Sequence, residues 1–236
     1  MAKTPTVTIL TSKYDKALTM VRTLQNGGAR KGGGTVPYLA HSIGVSALVL
    51  EYGGTENQAI AALLHDVAED SGGERMLDVI TAEFNKKVAG YVKDLSDSLV
   101  EDSEKKEPWY PRKNSYIVSY KKKSTDVLLI SAADKLHNVR AMLNDHKTVG
   151  RELWGRFDRK VEAPLEYKRT QQLWYQTKLS KVITDKLDAV QPYGAQLARD
   201  LQDELNLLKQ SIEIKEGVSI DQLNAQIELF TGQPST

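Results

Sequence analysis

The 236-residue chain is 40% hydrophobic and 27% charged, and its 32 Lys and Arg against 31 Asp and Glu leave a net charge of +1, a globular composition that excludes a global field for drawing the protein onto nucleic acid or acidic lipid. With no cysteine there is no disulfide frame, thiolate zinc site or thiol nucleophile, so a metal can be held only by His, carboxylate or carbonyl groups. The opening residues lack an apolar core of signal-peptide length and no apolar run approaches the ~18 residues of a membrane span, which predicts a cytoplasmic protein with no membrane and no nucleic acid among its partners.

Helical periodicity dominates the first four-fifths of the chain. Residues 6–10 form the only strand candidate. Tyr38, Leu39, Ile43, Ala47, Leu48 and Leu50 make an apolar stripe, Pro37 suits a first helical turn, and Gly53-Gly54 end the run. Thr55 then precedes a second, strongly buried helix over residues 56–69. In it Ala59, Ile60, Leu63, Leu64 and Val67 recur at helical spacing, and Ser71-Gly72-Gly73 stop the pattern. The same periodicity predicts helices over 75–84, 86–99, 126–144 and 160–187. Residues 101–112 carry mixed charges and two prolines and read as an exposed loop entering a new helix. After Pro192-Tyr193-Gly194, polar amphipathic stretches at 196–214 and 220–230 predict a C-terminal helical pair. The expected organisation is all-α, with one helical domain over residues 1–190 and a helical extension over 191–236.

The chain has four histidines. His41 lies on the first core helix among apolar neighbours and, taken alone, reads as a core histidine. His65-Asp66 follows six apolar residues, Ala59 to Leu64. Burying an adjacent His and Asp costs several kcal/mol unless something satisfies them, and a divalent cation is the simplest partner. Asp134 comes directly after Ile130-Ser131-Ala132-Ala133 on another predicted helix. Three helices thus offer His, His-Asp and Asp. Two imidazoles and two carboxylates suit Mn²⁺, Fe²⁺ or Zn²⁺, and an octahedral site would leave positions for water and a substrate oxygen. His137 is out of phase with Asp134 and, like His146, reads as structural.

The ordered pattern His41, His65-Asp66, Asp134 resembles the metal motif of the HD superfamily of phosphohydrolases. A longer match is narrower. Arg30-Lys31 ahead of Pro37-Tyr38-Leu39-Ala40-His41, then His65-Asp66-Val67-Ala68-Glu69-Asp70, then Ala133-Asp134-Lys135-Leu136-His137-Asn138-Val139-Arg140 resemble the hydrolase domain of the RelA/SpoT family. Stand-alone versions of that domain are the small alarmone hydrolases. The resemblance covers roughly residues 13–179. It implies an HD-type helical bundle, one Mn²⁺ held by His41, His65, Asp66 and Asp134, and removal of the 3′-pyrophosphate from guanosine tetra- or pentaphosphate. Two departures are visible. Gly32-Gly33-Gly34-Thr35 lengthens the loop after Arg30-Lys31, and residue 141 is Ala where the bifunctional enzymes commonly have Thr. The 46 residues beyond Val190 are too few for the synthetase domain of those enzymes, so the expectation is degradation without synthesis.

Beside such a metal motif, Glu69 and Asp70 fall one turn beyond His65-Asp66 and suit proton transfer and water positioning. Asn138 is one turn after Asp134, able to bond a ribose or phosphate oxygen. Arg30 and Lys31, on a Gly-rich loop, suit pyrophosphate or a purine face. Tyr167 matches a family Tyr that helps close the nucleotide pocket. The same metal site could act on another nucleotide, such as a deoxynucleoside triphosphate, a 5′-nucleotide or NADPH, or serve a non-catalytic nucleotide sensor. No histidine lies between His65 and His137, so the additional imidazoles used by two-metal phosphodiesterases and histidine-assisted triphosphohydrolases of the superfamily are missing. The oligomeric state is left open.

Overall fold

Thr11, Thr55, Asn85, Ser124 and Ser219 each stand just before a helix and accept a backbone N–H from its first turn, the role for which these residue types are favoured at N-caps. At Thr55 and Ser219 a glutamine three residues on reaches back to complete a capping box. The computed structural model describes residues 7–30, 36–100, 105–158, 161–187 and 193–232. In chain order its α-helices are α1 (Ser12–Leu24), α2 (Tyr38–Glu51), α3 (Glu56–Leu64), α4 (Val67–Asp70), α5 (Gly73–Glu83), α6 (Lys86–Leu95), α7 (Trp109–Ser119), α8 (Thr125–Val149), α9 (Leu165–Leu187), α10 (Tyr193–Glu216) and α11 (Ile220–Leu229). The fold is all-α, as expected. Among the described residues no helix is long and apolar enough to cross a membrane.

α8 is the axis of the molecule, packing on α2, α3, α9 and α10. Residues 127–136 along it are all buried. α3 is buried on every side from Gln58 to Leu64. Ile60, Leu63 and Leu64 are fully enclosed there, each removing enough apolar surface from water to stabilise the fold by about 1.5–3 kcal/mol. A helix held this firmly delivers whatever follows Leu64 to a fixed place. α10 lies along α8, and His146 of α8 ties the two helices by bonding Ser211 Oγ (2.8 Å) and Glu216 Oε1 (2.9 Å), a structural role as expected.

Four features depart from the sequence reading. The helix expected over 56–69 is two helices, interrupted at His65 and Asp66, where the His65 ring bonds the Ala62 carbonyl. The helix expected over 86–99 stops at Leu95, because Ser96 turns to extended backbone. That turn carries Asp97 inward, to 2% side-chain exposure. The expected helix over 160–187 begins only after Pro164, at Leu165. The strand candidate at 6–10 is no strand over its described part, residues 7–10: with no sheet to join among the described residues, Thr8 instead donates its hydroxyl to Gly54 O. A short antiparallel bridge between Ala29 and Pro37 closes the base of the basic loop. Lys31 and the stretch 32–35 lie outside the described residues, as do residues 101–104 of the predicted loop.

Candidate metal centre

His41 comes from the first turn of α2, His65 caps the C-terminus of α3, Asp66 caps the N-terminus of α4, and Asp134 sits mid-way along α8. Ligand-capable atoms of His41, His65 and Asp66 all lie within 4.8 Å of one another. Asp134 borders them, its Oδ1 lying 3.2 Å from His41 Nε2 and 3.8 Å from His65 Nε2. His65 Nε2 is also 3.2 Å from Asp66 Oδ2. The two rings meet edge to face at 5.0 Å between centroids. Two imidazole nitrogens and carboxylate oxygens converging from separate helices form a site suited to a divalent metal, and the donor chemistry fits one.

The electrostatics show how such a site is held ready. Burial alone would lower the pKa of His65, but Asp66 and Asp134 outweigh it and raise it to about 9. Burial likewise opposes ionisation of Asp66, yet His65 holds its carboxyl well below the usual range. Asp134, also buried, is held far down by Lys135 first and then by the two histidines. Burial dominates at His41 and lowers it despite Asp134. A cation bound here would take the place of a proton on His65 and meet carboxylates that are already ionised.

Neighbours to which the sequence reading gave no part in the site complete the cluster. Lys135 Nζ lies 2.6 Å from Asp134 Oδ2 and is itself buried. The Tyr38 hydroxyl donates to Asp66 Oδ2, and burial together with Asp66 pushes its pKa up. His137, expected to point away, instead lies with Nδ1 3.0 Å from His41 Nδ1, and burial, His41 and Arg30 push it down to about 4. Signals existed for all three. Tyr38 is one turn before His41 on the same face, and the Asp134-Lys135 pair inside an apolar run implies mutual compensation. His137 is three residues after Asp134, the spacing that also joins Tyr38 to His41, so it shares Asp134's face of the helix and the expectation that it points away was wrong.

Asn138 lies where its spacing places it, donating from Nδ2 to Asp134 Oδ1 at 2.6 Å. Its own Oδ1 accepts from Arg30 Nη2 at 2.6 Å. Arg30 therefore reaches the centre in spite of the glycine-lengthened loop. Glu69 is partly buried beside Lys106, whose Nζ is 3.9 Å from its Oε1, and under the Asp97 backbone N–H at 3.5 Å. Burial first, then Asp97, pushes its carboxyl up to about 7, against the opposing pull of Lys113. Asp97 itself is held low, because Lys113 and Arg112 outweigh the cost of burial. Nothing in the sequence pairs Asp97 with Lys113. Asp70 is exposed at the end of α4. Tyr167 is not brought to the cluster: its hydroxyl donates to Gly232 O at 3.0 Å and its ring packs on Phe230.

A family model described as HD domain matches residues 17–158. Guanosine-3′,5′-bis(diphosphate) 3′-pyrophosphohydrolase MESH1 of Mus musculus is 31% identical over 113 residues, which cover 47% of this chain and 59% of that protein. A probable GTP pyrophosphokinase of Mycobacterium leprae is 31% identical over 108 residues, 45% of this chain and 13% of that one. The solved structure of a metazoan ortholog of SpoT that hydrolyses ppGpp superposes with a TM-score of 0.62 at 24% identity, covering 84% of this chain and 97% of that chain, and so shares its fold. The chain spans about three-fifths of the length of the MESH1 relative.

Proposed function

The chain belongs to the HD domain family, and on that footing we propose that it is a metal-dependent pyrophosphohydrolase of guanosine tetra- and pentaphosphate, releasing the 3′-pyrophosphate to leave GDP or GTP. The observation that carries this reading is the convergence of His41, His65 and Asp66, with Asp134 beside them, on one small volume. The names of the sequence relatives support the substrate class. The four residues hold one divalent ion, with Mn²⁺ as the ion proposed for a mixed imidazole and carboxylate set. Bound there, the ion supplies positive charge to the phosphate oxygens and acidifies a water. The reading places the protein in the cytoplasm with its nucleotide.

The remaining chemistry belongs to the chain. Glu69, whose carboxyl titrates close to neutrality, accepts a proton from the attacking water, with Asp70 adjoining it to position that water. The water oxygen bonds to the phosphorus on the 3′ oxygen, the P–O3′ bond breaks, the 3′ oxygen takes a proton, and pyrophosphate departs intact. Lys135 and Asn138 keep Asp134 in place. Arg30, with Lys31 next to it in sequence, binds the base or phosphates.

Product analysis tests the bond choice. Incubation of the protein and Mn²⁺ with a nucleotide panel is expected to yield pyrophosphate from guanosine tetraphosphate and no orthophosphate. Tripolyphosphate from a 5′ triphosphate, or single orthophosphates, would reassign the site to another nucleotide. Unchanged nucleotide recovered from metal-loaded protein would make it a sensor.

Arg30 offers a separate test of binding. Arg30→Ala is expected to raise KM by the equivalent of ~1–3 kcal/mol, the scale of a lost charged hydrogen bond, with metal content unchanged. Arg30→Lys should restore only part of it, since an ammonium neither stacks on a base nor grips with two prongs. A KM unaltered for every hydrolysed nucleotide would remove Arg30 from the substrate site.

A further inference from the structure

A neutral imidazole that ligates a metal through Nε2 must carry its hydrogen on Nδ1, and when the ring is buried that N–H needs an acceptor. The two histidines of the centre meet this need differently. His65 Nδ1 lies 2.8 Å from the Ala62 carbonyl, an acceptor supplied by its own helix. His41 is 2% exposed, and its Nδ1 lies 3.0 Å from Nδ1 of His137, 96 residues away on α8. Arg30 Nη1 approaches that same His137 nitrogen, at 3.5 Å. A guanidinium can only donate, so its approach favours a lone pair on His137 Nδ1.

A second observation shows that the fold makes room for this contact. Gly44 is three residues after His41 on α2, and a Cβ built on it would overlap Nε2 and Cδ2 of the His137 ring. Helix interiors disfavour glycine. Here the missing side chain lets the His137 ring lie flat enough against α2 to reach His41, and the rings cross at 60° with centroids 4.9 Å apart.

We propose that His137 is a positioning residue of the metal centre: it accepts the Nδ1 hydrogen of His41 and thereby holds the tautomer and ring orientation that leave His41 Nε2 to ligate a divalent cation. The inference rests on the metal reading of the site. It assigns to α8 a second contribution beyond Asp134, and to Gly44 the task of admitting it. The test is calorimetric titration of metal-stripped, full-length protein with Mn²⁺ alone, beside a thermal melt of each variant. His137→Leu is expected to weaken Mn²⁺ binding about 10–100-fold, the usual cost of losing an outer partner of a ligand. His137→Asn, whose amide oxygen stands near the place of Nδ1, should recover much of the affinity. Gly44→Ala should weaken binding although alanine favours the helix, and this loss should vanish when His137 is already Ala, since the clash is then gone. Mn²⁺ affinity of His137→Leu equal to wild type overturns the proposal, as does equal weakening in the Leu and Asn variants, which would mark a packing role. If His137→Leu does not fold, the Gly44→Ala pair decides: an effect that persists in the His137→Ala background overturns the proposal. Failure of the wild-type protein itself to bind Mn²⁺ would instead sink the metal reading, and this inference with it.

Discussion

Asp66→Ala is expected to lose the metal and the activity together, by about 10³-fold or more in kcat/KM, because a site that depends on several kcal/mol of charge stabilisation loses an anionic ligand. Asp66 is the better carboxylate to remove. Asp134 is paired with buried Lys135, so deleting Asp134 leaves an uncompensated buried cation, which costs about 3–5 kcal/mol of stability and confuses loss of function with loss of fold. Asp66 has 28% of its side chain exposed, and its partners Tyr38 and His65 can remain neutral without it. Metal analysis of the purified variant, with its thermal melt, checks the result. Full turnover in metal-stripped Asp66→Ala protein would falsify the assignment of the centre.

The second large effect concerns the proton. Replacing Glu69 by Gln together with Asp70 by Asn is expected to slow kcat by ~10²–10⁴-fold with Mn²⁺ still bound, the range for lost acid–base assistance. The pH profile gives the sign. Burial and Asp97 raise Glu69 to about 7, so at acidic pH it is protonated and cannot accept a proton. The hydrolysis rate of the wild-type protein should therefore climb as pH rises through about 7 and level off once the carboxylate is formed. In Asp97→Asn the nearby negative charge is gone, and the rising limb should move to lower pH. In the Glu69→Gln, Asp70→Asn variant the limb should be absent. A double variant with unchanged kcat and normal metal content would make these two residues a mere helix end.

Much of this centre was legible before any coordinates. His65-Asp66 at the end of six apolar residues and Asp134 after Ala132-Ala133 announce buried polar groups that need a partner, and the helical period places them on separate core helices. The same periodicity predicted the all-α fold and most of its helices. It could not predict that the helix over 56–69 would break at His65 and Asp66 themselves, since the break involves the His65 ring bonding the carbonyl of Ala62, a side-chain choice invisible to hydrophobic pattern. The expectation that His137 points away from the centre fails on helix geometry itself, since residues three apart share a face, but its meeting with α2 is not written in that geometry. Phase on one helix says which direction a Cβ leaves, and it says nothing about which helix lies there.

By itself, then, the sequence determined the kinds of candidate ligand, their order and their helices, because apolar spacing and the cost of burying charge are local properties of the chain. Tertiary structure decided which groups surround each ligand. His137 meets His41 only because α8 lies against α2 at the bare face of Gly44. Arg30 meets Asn138 across 108 residues, and Glu69 is raised toward neutrality by its burial and then by Asp97, which the chain after α6 brings beside it. These contacts depend on the rotation and separation of packed helices, which are set by the fit of whole surfaces and not by the spacing of residues along any one of them.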